Sequence, residues 1–238
     1  MKLKVFFSRL KRITPDKLKN YLNWKIVHIY DLLIDKRVTG LDLTKTVPVP
    51  NVYYNKGIGM TESQPTKYLI LKKVFSHIRL TESDTIIDVG CGKGRCIAYL
   101  ISQRCPAQIY GIELSEEPGK IVIQWTKKYQ NVHVTIGDAF SLNYNDYSVL
   151  YLSQPFFPKT FFKFVKLLEE QLKHPITFIY LFDHTSGGYL ENRPGWNLQY
   201  REEFFKIHGL QVVGATRRFS IWTYTPDYTT EVNIHDLV

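Results

Sequence analysis

The sequence has little cysteine, a shortage of acids and no long apolar run. Three cysteines in 238 residues (Cys91, Cys96 and Cys105) lack the spacing of metal ligands and are too few for a disulfide framework. No apolar run approaches the ~20 residues that span a bilayer. The longest run near the N-terminus, residues 5–7, is too short for a signal peptide. We therefore expect a cytoplasmic protein with reduced cysteines and no metal.

The shortage of acids leaves a net charge of +9, which is concentrated near the N-terminus. Residues 1–25 hold eight of the 31 basic residues and one acid, Asp16. Apolar residues recur there at helical spacing, which predicts a basic amphipathic helix. Residues 1–20 would then either pack on the rest of the chain or dock on a protein partner or an anionic membrane, at the inner face of the cell membrane. Nucleic acid is a weaker alternative, because basic charge alone specifies no partner.

Residues 86–94 (IIDVGCGKG) predict a buried strand that runs into a glycine-rich turn. Apolar β-branched residues suit a parallel strand that is covered on both faces. Glycines at alternate positions let the backbone approach a ligand without Cβ atoms in the way. The residues that follow are typical of a helix, so the turn lies at a helix N-terminus, where nucleotide-like cofactors bind in α/β sheets.

This turn lacks two residues that nucleotide-binding motifs require, and these absences exclude two classes of cofactor. A dinucleotide fingerprint requires a small residue where Arg95 stands, which argues against an NAD-type oxidoreductase. A phosphate-binding P-loop requires Ser or Thr after the lysine, and Lys93 is followed by Gly94. Neither nucleotide motif is therefore present.

The remaining pattern, D-x-G-x-G-x-G from Asp88 to Gly94, resembles the first motif of the class I S-adenosylmethionine (SAM) dependent methyltransferases. Later segments follow in the order of that family: a strand at 108–114 with Glu113 near its end, a strand at 132–136 before Asp138, and a strand at 148–153 before Gln154. The resemblance implies SAM as the cofactor and S-adenosylhomocysteine as the product.

The resemblance also implies a role for each landmark. Asp88 and the glycine turn would surround the methionine part of SAM, Glu113 would bind the ribose hydroxyls, and Asp138 would bind the adenine amino group. The expected cofactor contacts are Asp88, Gly90, Cys91, Gly92, Gly94, Glu113, Leu114, Asp138, Ala139 and Gln154. We expect Cys91 to be a small filler beside the cofactor and not a nucleophile.

A narrower resemblance is to a bacterial family, mostly uncharacterised, with four motifs. The similar segments are 34–43 to "FD-x-R-x-G-x-D-T", 62–66 to "Y-x-P-T", 88–95 to "DxGCGKGR" and 151–156 to "YLYNPF". This resemblance covers roughly residues 20–225 and implies no named acceptor.

The tetrad at residues 154–157 (QPFF) departs from the [DNS]-P-P-[YFW] pattern of amino-methyltransferases. In those enzymes the first side chain accepts the protons of the target amine and the aromatic ring stacks on it. Gln154 is longer than Asn, and one proline is missing, which argues against methylation of a base or an amide. We expect an N or O acceptor on a protein amine (lysine) or a small molecule, with Gln154 and Phe156 facing it. The alternative is a non-catalytic module that binds SAM or a partner.

Two further groups are candidates at the same edge of the sheet. Asp183 and His184 follow the fifth strand and form either an acid–imidazole pair that acts as a base or the start of a solvated loop. Tyr54, Gln64 and Thr66 precede the first strand and either fold over the cofactor as a lid or cap and pack the start of a helix.

The predicted fold is α/β, with a Rossmann-like seven-stranded mixed sheet between helices and an N-terminal helical extension. The strand order 3-2-1-4-5-7-6 comes from the resemblance. The expected divisions are an extension at 1–60, a SAM-binding domain at 61–228 and a tail at 229–238. Helices are predicted at 21–34, 159–173 and 199–208, and two closing strands at 210–216 and 219–225.

Overall fold

The computed structural model describes residues 14–45, 65–184 and 186–226. Its helices are α1 (Pro15–Thr39), α2 (Tyr68–Phe75), α3 (Arg95–Ser102), α4 (Glu116–Thr126) and α5 (Pro158–Gln171). Its strands are β1 (Thr85–Val89), β2 (Gln108–Glu113), β3 (Val132–Ile136), β4 (Val149–Ser153), β5 (Ile176–Leu181), β6 (Trp196–Phe204), β7 (Lys206–Ile207), β8 (Leu210–Gln211) and β9 (Arg217–Tyr224). Within these ranges no helix has the length and hydropathy that a membrane crossing requires.

Seven strands form one sheet in the order β3-β2-β1-β4-β5-β9-β6. The strands from β1 to β5 are parallel, whereas β9 is antiparallel to both β5 and β6. The short β7–β8 hairpin lies outside the sheet, so β9 is the seventh strand of the sheet in chain order. The predicted Rossmann-like sheet and its order 3-2-1-4-5-7-6 are confirmed.

The central strands are apolar on both faces because helices cover both sides of the sheet. Along β1, Ile86 belongs to one core cluster and Ile87 to the other. The same alternation separates Leu150 from Tyr151 along β4. A strand that is buried on both faces requires an almost continuous apolar run, which is why β1 and β4 were recognisable in the sequence.

The predicted helix at 199–208 is wrong, because these residues form most of β6 and the β7 hairpin strand. Strand β6 pairs with β9 from Trp196 to Phe204, with an irregularity at Gln199. It lies at the edge of the sheet, where charged residues such as Glu202 and Glu203 are tolerated on a strand. Long-range pairing here overrides the helical preference of a charged segment. Of the strand predicted at 210–216, only the first two residues form a strand, β8.

Helix α1 is longer than the predicted 21–34 and is joined to the sheet domain by a buried ionic network. Arg95, the first residue of α3, places Nη2 2.6 Å from Oδ2 of Asp35 and Nη1 3.5 Å from Oδ2 of Asp31. The hydroxyl of Tyr68 donates to Asp35 at 2.7 Å. Burial raises the pKa of Asp31 to about 6, although Arg95 opposes the shift. The first turn of α3 therefore depends on two carboxylates from α1.

Gly94 joins the glycine turn to α3 at a point where no side chain fits. Its φ of +85° is in the left-handed region. A Cβ atom there would lie 2.4 Å from Cγ2 of Val122 and 2.8 Å from Cζ2 of Trp125, both on α4. The absence of a side chain therefore lets α4 pack directly against the turn.

We expect Asp35→Ala to lower the free energy of unfolding by about 3–5 kcal/mol, because it leaves Arg95 and the Tyr68 hydroxyl buried without their main acceptor. Urea unfolding measures the change. Glu116→Ala is the matched control, since it breaks an exposed ion pair with Lys120 and should have no measurable effect. Equal stability of the two variants would contradict a structural role of the network.

We expect Gly94→Ala to cost more stability than Gly209→Ala. Gly209 also has a positive φ, +76°, but an added Cβ would meet nothing within 4 Å. Its replacement therefore isolates backbone strain, about 1–2 kcal/mol. Gly94→Ala adds the overlap with α4, which costs about 1–3 kcal/mol more. Thermal unfolding of the two variants without ligand measures the difference, and a smaller loss for Gly94→Ala would rule out this packing constraint.

Candidate cofactor site

The ends of the first four strands meet at one edge of the sheet. The chain leaves β1 towards β2 and β3 on one side, while β4 and β5 lie on the other. A crevice opens at such a switch point, beyond the carboxyl ends of the strands, and it is the usual ligand site of open α/β sheets. Asp88, Glu113, Asp138 and Gln154 all lie at or just after these strand ends.

The glycine turn after β1 lies against the end of β4. Gly90 and Gly92 have φ of +77° and +56°. The N–H groups of Gly90 and Cys91 both donate to the carbonyl of Ile112 on β2, at 2.9 and 3.0 Å. A Cβ atom on Gly90 would lie 2.6 Å from Cβ of Pro155. The turn thus bridges the two strands that flank the crevice, and only glycine fits at position 90.

Glu113 is a buried carboxylate that orders the turn. Its Oε2 accepts from the N–H of Gly92 and its Oε1 from the N–H of Ser115, both at 2.8 Å. Burial raises the pKa of Glu113, while these backbone N–H groups lower it. Each carboxylate oxygen keeps a second lone pair, so Glu113 can still accept hydrogen bonds from a ligand diol. Its contact with ribose stays a prediction.

Asp88 is a second buried carboxyl group in the same crevice. It is 4% exposed, and no described residue donates a hydrogen bond to its side chain. Burial raises its pKa to about 8, and the neighbouring charge of Glu113 adds to the shift. A buried acid without a donor is unusual in a folded chain, and a perturbed pKa in a cleft is typical of a binding site.

Asp138 and its neighbours lie at the end of β3. Oδ1 of Asp138 accepts from the N–H of Phe140 at 2.9 Å and so caps the short 3-10 turn at Ala139–Ser141. Asp138 is exposed, Ala139 is buried and Leu114, after β2, is half-buried. The other carboxylate oxygen of Asp138 can therefore face a ligand in the crevice.

Gln154 follows β4 in a strained backbone conformation. Its φ is +48°, which is uncommon for a residue other than glycine and costs about 1–3 kcal/mol. Phe156, two residues later, packs on Phe140 and Phe164, with ring centroids 5.9 and 5.0 Å away. The tetrad is therefore held by an aromatic cluster. Strain of this kind concentrates at functional sites, so the turn at Gln154 is a candidate for contact with the acceptor.

Of the three predicted lid residues, only Thr66 lies within the described residues; Tyr54 and Gln64 lie outside them. The hydroxyl of Thr66 is 3.1 Å from the hydroxyl of Ser153, the last residue of β4. The carbonyl of Thr66 accepts from Arg95 at 3.5 Å. Thr66 is thus brought to the rim of the crevice by the segment that leads into α2.

The side chain of Cys91 is buried in the core. Its Sγ would lie 3.1 Å from a Cβ atom on Gly111, and burial raises the pKa of the thiol well above its usual value. The same holds for the pKa of Cys96. Both thiols are therefore protonated and unreactive at neutral pH. Only the backbone of Cys91 is available to a ligand.

Asp183 and His184 lie after β5, and no hydrogen bond joins their side chains among the described residues. Instead Asp183, fully buried, accepts from Nε of Arg218 at 2.5 Å and from the hydroxyl of Ser220 at 2.6 Å. The side chain of His184 is exposed. The carboxylate of Asp183 is thus hydrogen-bonded to two residues of β9, and the predicted acid–imidazole pair does not form.

The ionic network at Arg95 was not among the predicted site residues. It lies directly after Gly94, so it borders the crevice. Asp31 and Asp35, four residues apart, mark one face of an apolar helix, and two acids on a face that must be buried were the available signal. Within the described ranges no group of three or more potential metal ligands is close enough to hold an ion.

Comparison with known proteins gives one match to a family profile, which covers part of the chain. Residues 86–171, from β1 to the end of α5, match the profile described as "Methyltransferase domain". A search of curated protein sequences gives no significant match.

Solved structures share the fold. A putative methyltransferase yhhF from Escherichia coli has a TM-score of 0.51 and 15% identity, over 67% of this chain and 86% of that chain. A mutant of MtNAS has a TM-score of 0.50 and 11% identity, over 87% and 74%. An RNA methyltransferase from Salinibacter ruber in complex with S-adenosyl-L-homocysteine has a TM-score of 0.49 and 20% identity, over 73% and 99%.

At identities this low, the two structures with TM-scores of 0.50 and 0.51 show a shared fold and nothing about an acceptor. Residues 86–171 are thus similar in sequence to a methyltransferase domain, and they contain β1 to β4, whose ends form the candidate site.

Proposed function

We propose that this chain is a SAM-dependent methyltransferase that acts on an N or O acceptor, with a protein amine such as lysine or a small molecule favoured. One observation carries the proposal: Asp88, at the end of β1, is buried without a hydrogen-bond donor among the described residues and close enough to Glu113 to be affected by its charge, within residues that match a methyltransferase domain profile. Two acids so close together in a buried place are unfavourable until a ligand supplies positive charge or donors.

The described residues fit SAM in three respects. A cationic ammonium group would meet the Asp88 carboxylate, a ribose diol would meet the second lone pairs of Glu113, and an adenine amino group would meet the exposed oxygen of Asp138. The absence of a side chain at Gly90 lets Pro155 pack directly on the turn, which holds the turn against the end of β4. When bound, SAM supplies a methyl group that its sulfonium has already activated.

The chain then has to position an acceptor and handle one proton. Gln154, at the end of β4, offers a carboxamide beside the crevice, and Phe156 offers a ring fixed by its aromatic neighbours. Such groups orient an acceptor in line with the methyl group. Asp183 is held by Arg218, so the proton of the acceptor goes to solvent or to another base and not to an Asp183–His184 pair. This favours an acceptor that reaches the site already deprotonated, such as a neutral amine.

A non-catalytic module that binds SAM or a partner is the second candidate. The observations that favour it are the altered tetrad at Gln154 and the commitment of Asp183 to β9. A methyltransferase and a binding module both bind SAM, and only the former forms S-adenosylhomocysteine when acceptors are supplied. A screen of peptide amines and small-molecule extracts with methyl-labelled SAM separates them.

We expect Asp88→Asn to weaken SAM binding by about 10- to 100-fold, because it removes a charge-assisted contact to a cationic ligand. Calorimetric titration with SAM and S-adenosylhomocysteine measures the affinity, with NAD as the negative control ligand. Asp146→Asn, an exposed acid before β4 at the opposite edge of the sheet, should bind as the unsubstituted protein does. Folded protein that binds neither SAM nor S-adenosylhomocysteine would overturn the proposal.

We expect the free protein to lose stability as the pH rises from about 4 to about 8, and Asp88→Asn to remove part of this loss. The pKa of Asp88 in the folded protein, about 8, lies above its ordinary value of 3.8, so the folded state holds the proton more tightly. Between pH 6 and pH 8 this group alone should cost about 2 kcal/mol. Asp31, with a pKa of about 6, titrates mainly below this window and is common to both proteins.

Urea unfolding at pH 6 and at pH 8 measures the two slopes. If both proteins lose the same free energy between these values, Asp88 is already ionised at pH 6 and its surroundings are not those described above.

A further inference from the structure

Helix α1 carries an apolar stripe on the face that points away from the protein. The stripe consists of Leu18, Leu22, Ile26, Ile29 and Leu33, each 49–64% exposed. At 3.6 residues per turn these five side chains fall within about 80° of the helix circumference and extend over roughly 22 Å. No described residue covers them, although large aliphatic side chains in soluble proteins rarely line up on an exposed surface.

The opposite face of α1 already accounts for its packing on the protein. Val27 and Val38 are buried in the core, Asp31 and Asp35 bind Arg95, and Asn23 exchanges two hydrogen bonds with the backbone of β8. The outer stripe lies on the far side of the helix from these residues. It therefore contributes nothing to the attachment of α1, and a helix that is apolar on both faces is normally covered on both.

Basic and aromatic side chains surround the stripe. Lys19, Lys25 and Lys36 are exposed along its sides and at its end, whereas the acids Asp31 and Asp35 are on the buried face. The exposed rings of Tyr21 and Tyr30 flank the same surface, whereas the exposed Trp24 lies towards the opposite side of the helix. Lys25 lies over the rings of Tyr21 and Trp24, 5.5 Å from each centroid. An apolar stripe bordered by lysines and interfacial aromatic rings is typical of helices that lie in the surface of an anionic bilayer.

We propose that the stripe on α1 docks on an anionic membrane surface, with the five aliphatic side chains in the acyl boundary and the three lysines among the headgroups. For residues 1–20, of which 1–13 lie outside the described residues, the sequence left membrane contact as an alternative to packing on the chain; the exposed stripe extends this alternative to Leu33. The proposal does not rest on methyltransferase activity. Two residues beyond Leu33, Asp35 binds Arg95 beside the glycine turn, so docking would bring the crevice close to the bilayer.

Charge favours a membrane over the other possible covers. Residues 1–13 have apolar residues at helical spacing but carry five basic residues and no acid, so they would repel the lysines beside the stripe. A second copy would place the same lysines against each other, because a two-fold interface brings identical patches together. Residues 46–64 carry one lysine and one glutamate and so have no net charge to attract the lysines, whereas residues 227–238 hold three acids, so the removal of the latter belongs in the test.

The experiment measures sedimentation of the full chain with large vesicles of phosphatidylcholine alone or with 30% phosphatidylglycerol (about one anionic lipid in three). We expect binding to the anionic vesicles, at least tenfold weaker binding to the neutral ones, and weakening by salt. Leu22→Glu with Ile29→Glu should reduce the anionic partition coefficient by tenfold or more, with an unchanged melting temperature. Leu198→Glu, at a leucine that is 42% exposed on the edge strand β6, is the matched control and should bind fully.

Several results would overturn the proposal. One is that the full chain fails to bind anionic vesicles. Another is that the double variant binds them as well as the control does. A fall of several degrees in the melting temperature of the double variant shows that the chain itself covers the stripe. Binding that appears only after removal of residues 227–238 assigns the stripe to that segment. A halved solution mass of the double variant without lipid assigns it to a second copy. SAM binding, measured separately, is expected to be the same in all variants.

Discussion

The structure depends on the buried ion pair between Arg95 and Asp35, which joins helix α1 to the start of α3. A guanidinium that is 5% exposed would be very unfavourable alone, and here it meets two carboxylates, a carbonyl and the ring of Tyr68. The pair spans 60 residues of sequence and ties the first described helix to the first turn of α3. The glycine turn ends one residue earlier, so its position depends on the same contact.

A second pair of charges has the opposite character. Asp88 and Glu113 are both acids and both buried, and the charge of Glu113 helps to raise the pKa of Asp88. The protein partly satisfies Glu113 with two backbone N–H groups and gives Asp88 none. The N-terminal network is complete within the chain, whereas this pair is incomplete. A complete network is typical of a structural cluster. An incomplete pair of buried acids is typical of a binding site for a cationic ligand.

The sheet and the position of the glycine turn could be predicted from sequence, since both depend on local patterns. Strand β1 is a continuous apolar run and the turn after it is marked by glycines, so residues 86–94 indicate both. The edge strand β6 could not be recognised, because its charged residues favour a helix and only its pairing with β9 decides the outcome. The partners of Arg95 and Asp183 could not be predicted from the sequence either, since each contact joins residues far apart in the chain.

Arg95 also bears on how the chain is divided into domains. The same residue whose bulk excludes a dinucleotide turn points away from the sheet and into α1. Val27 and Val38 of that helix belong to the same core cluster as Ile97 of α3. Residues on either side of the division expected at residue 60 thus share one core cluster. We infer that α1 and the sheet are one cooperative unit, and that the N-terminal helix is as much a part of this domain as any strand.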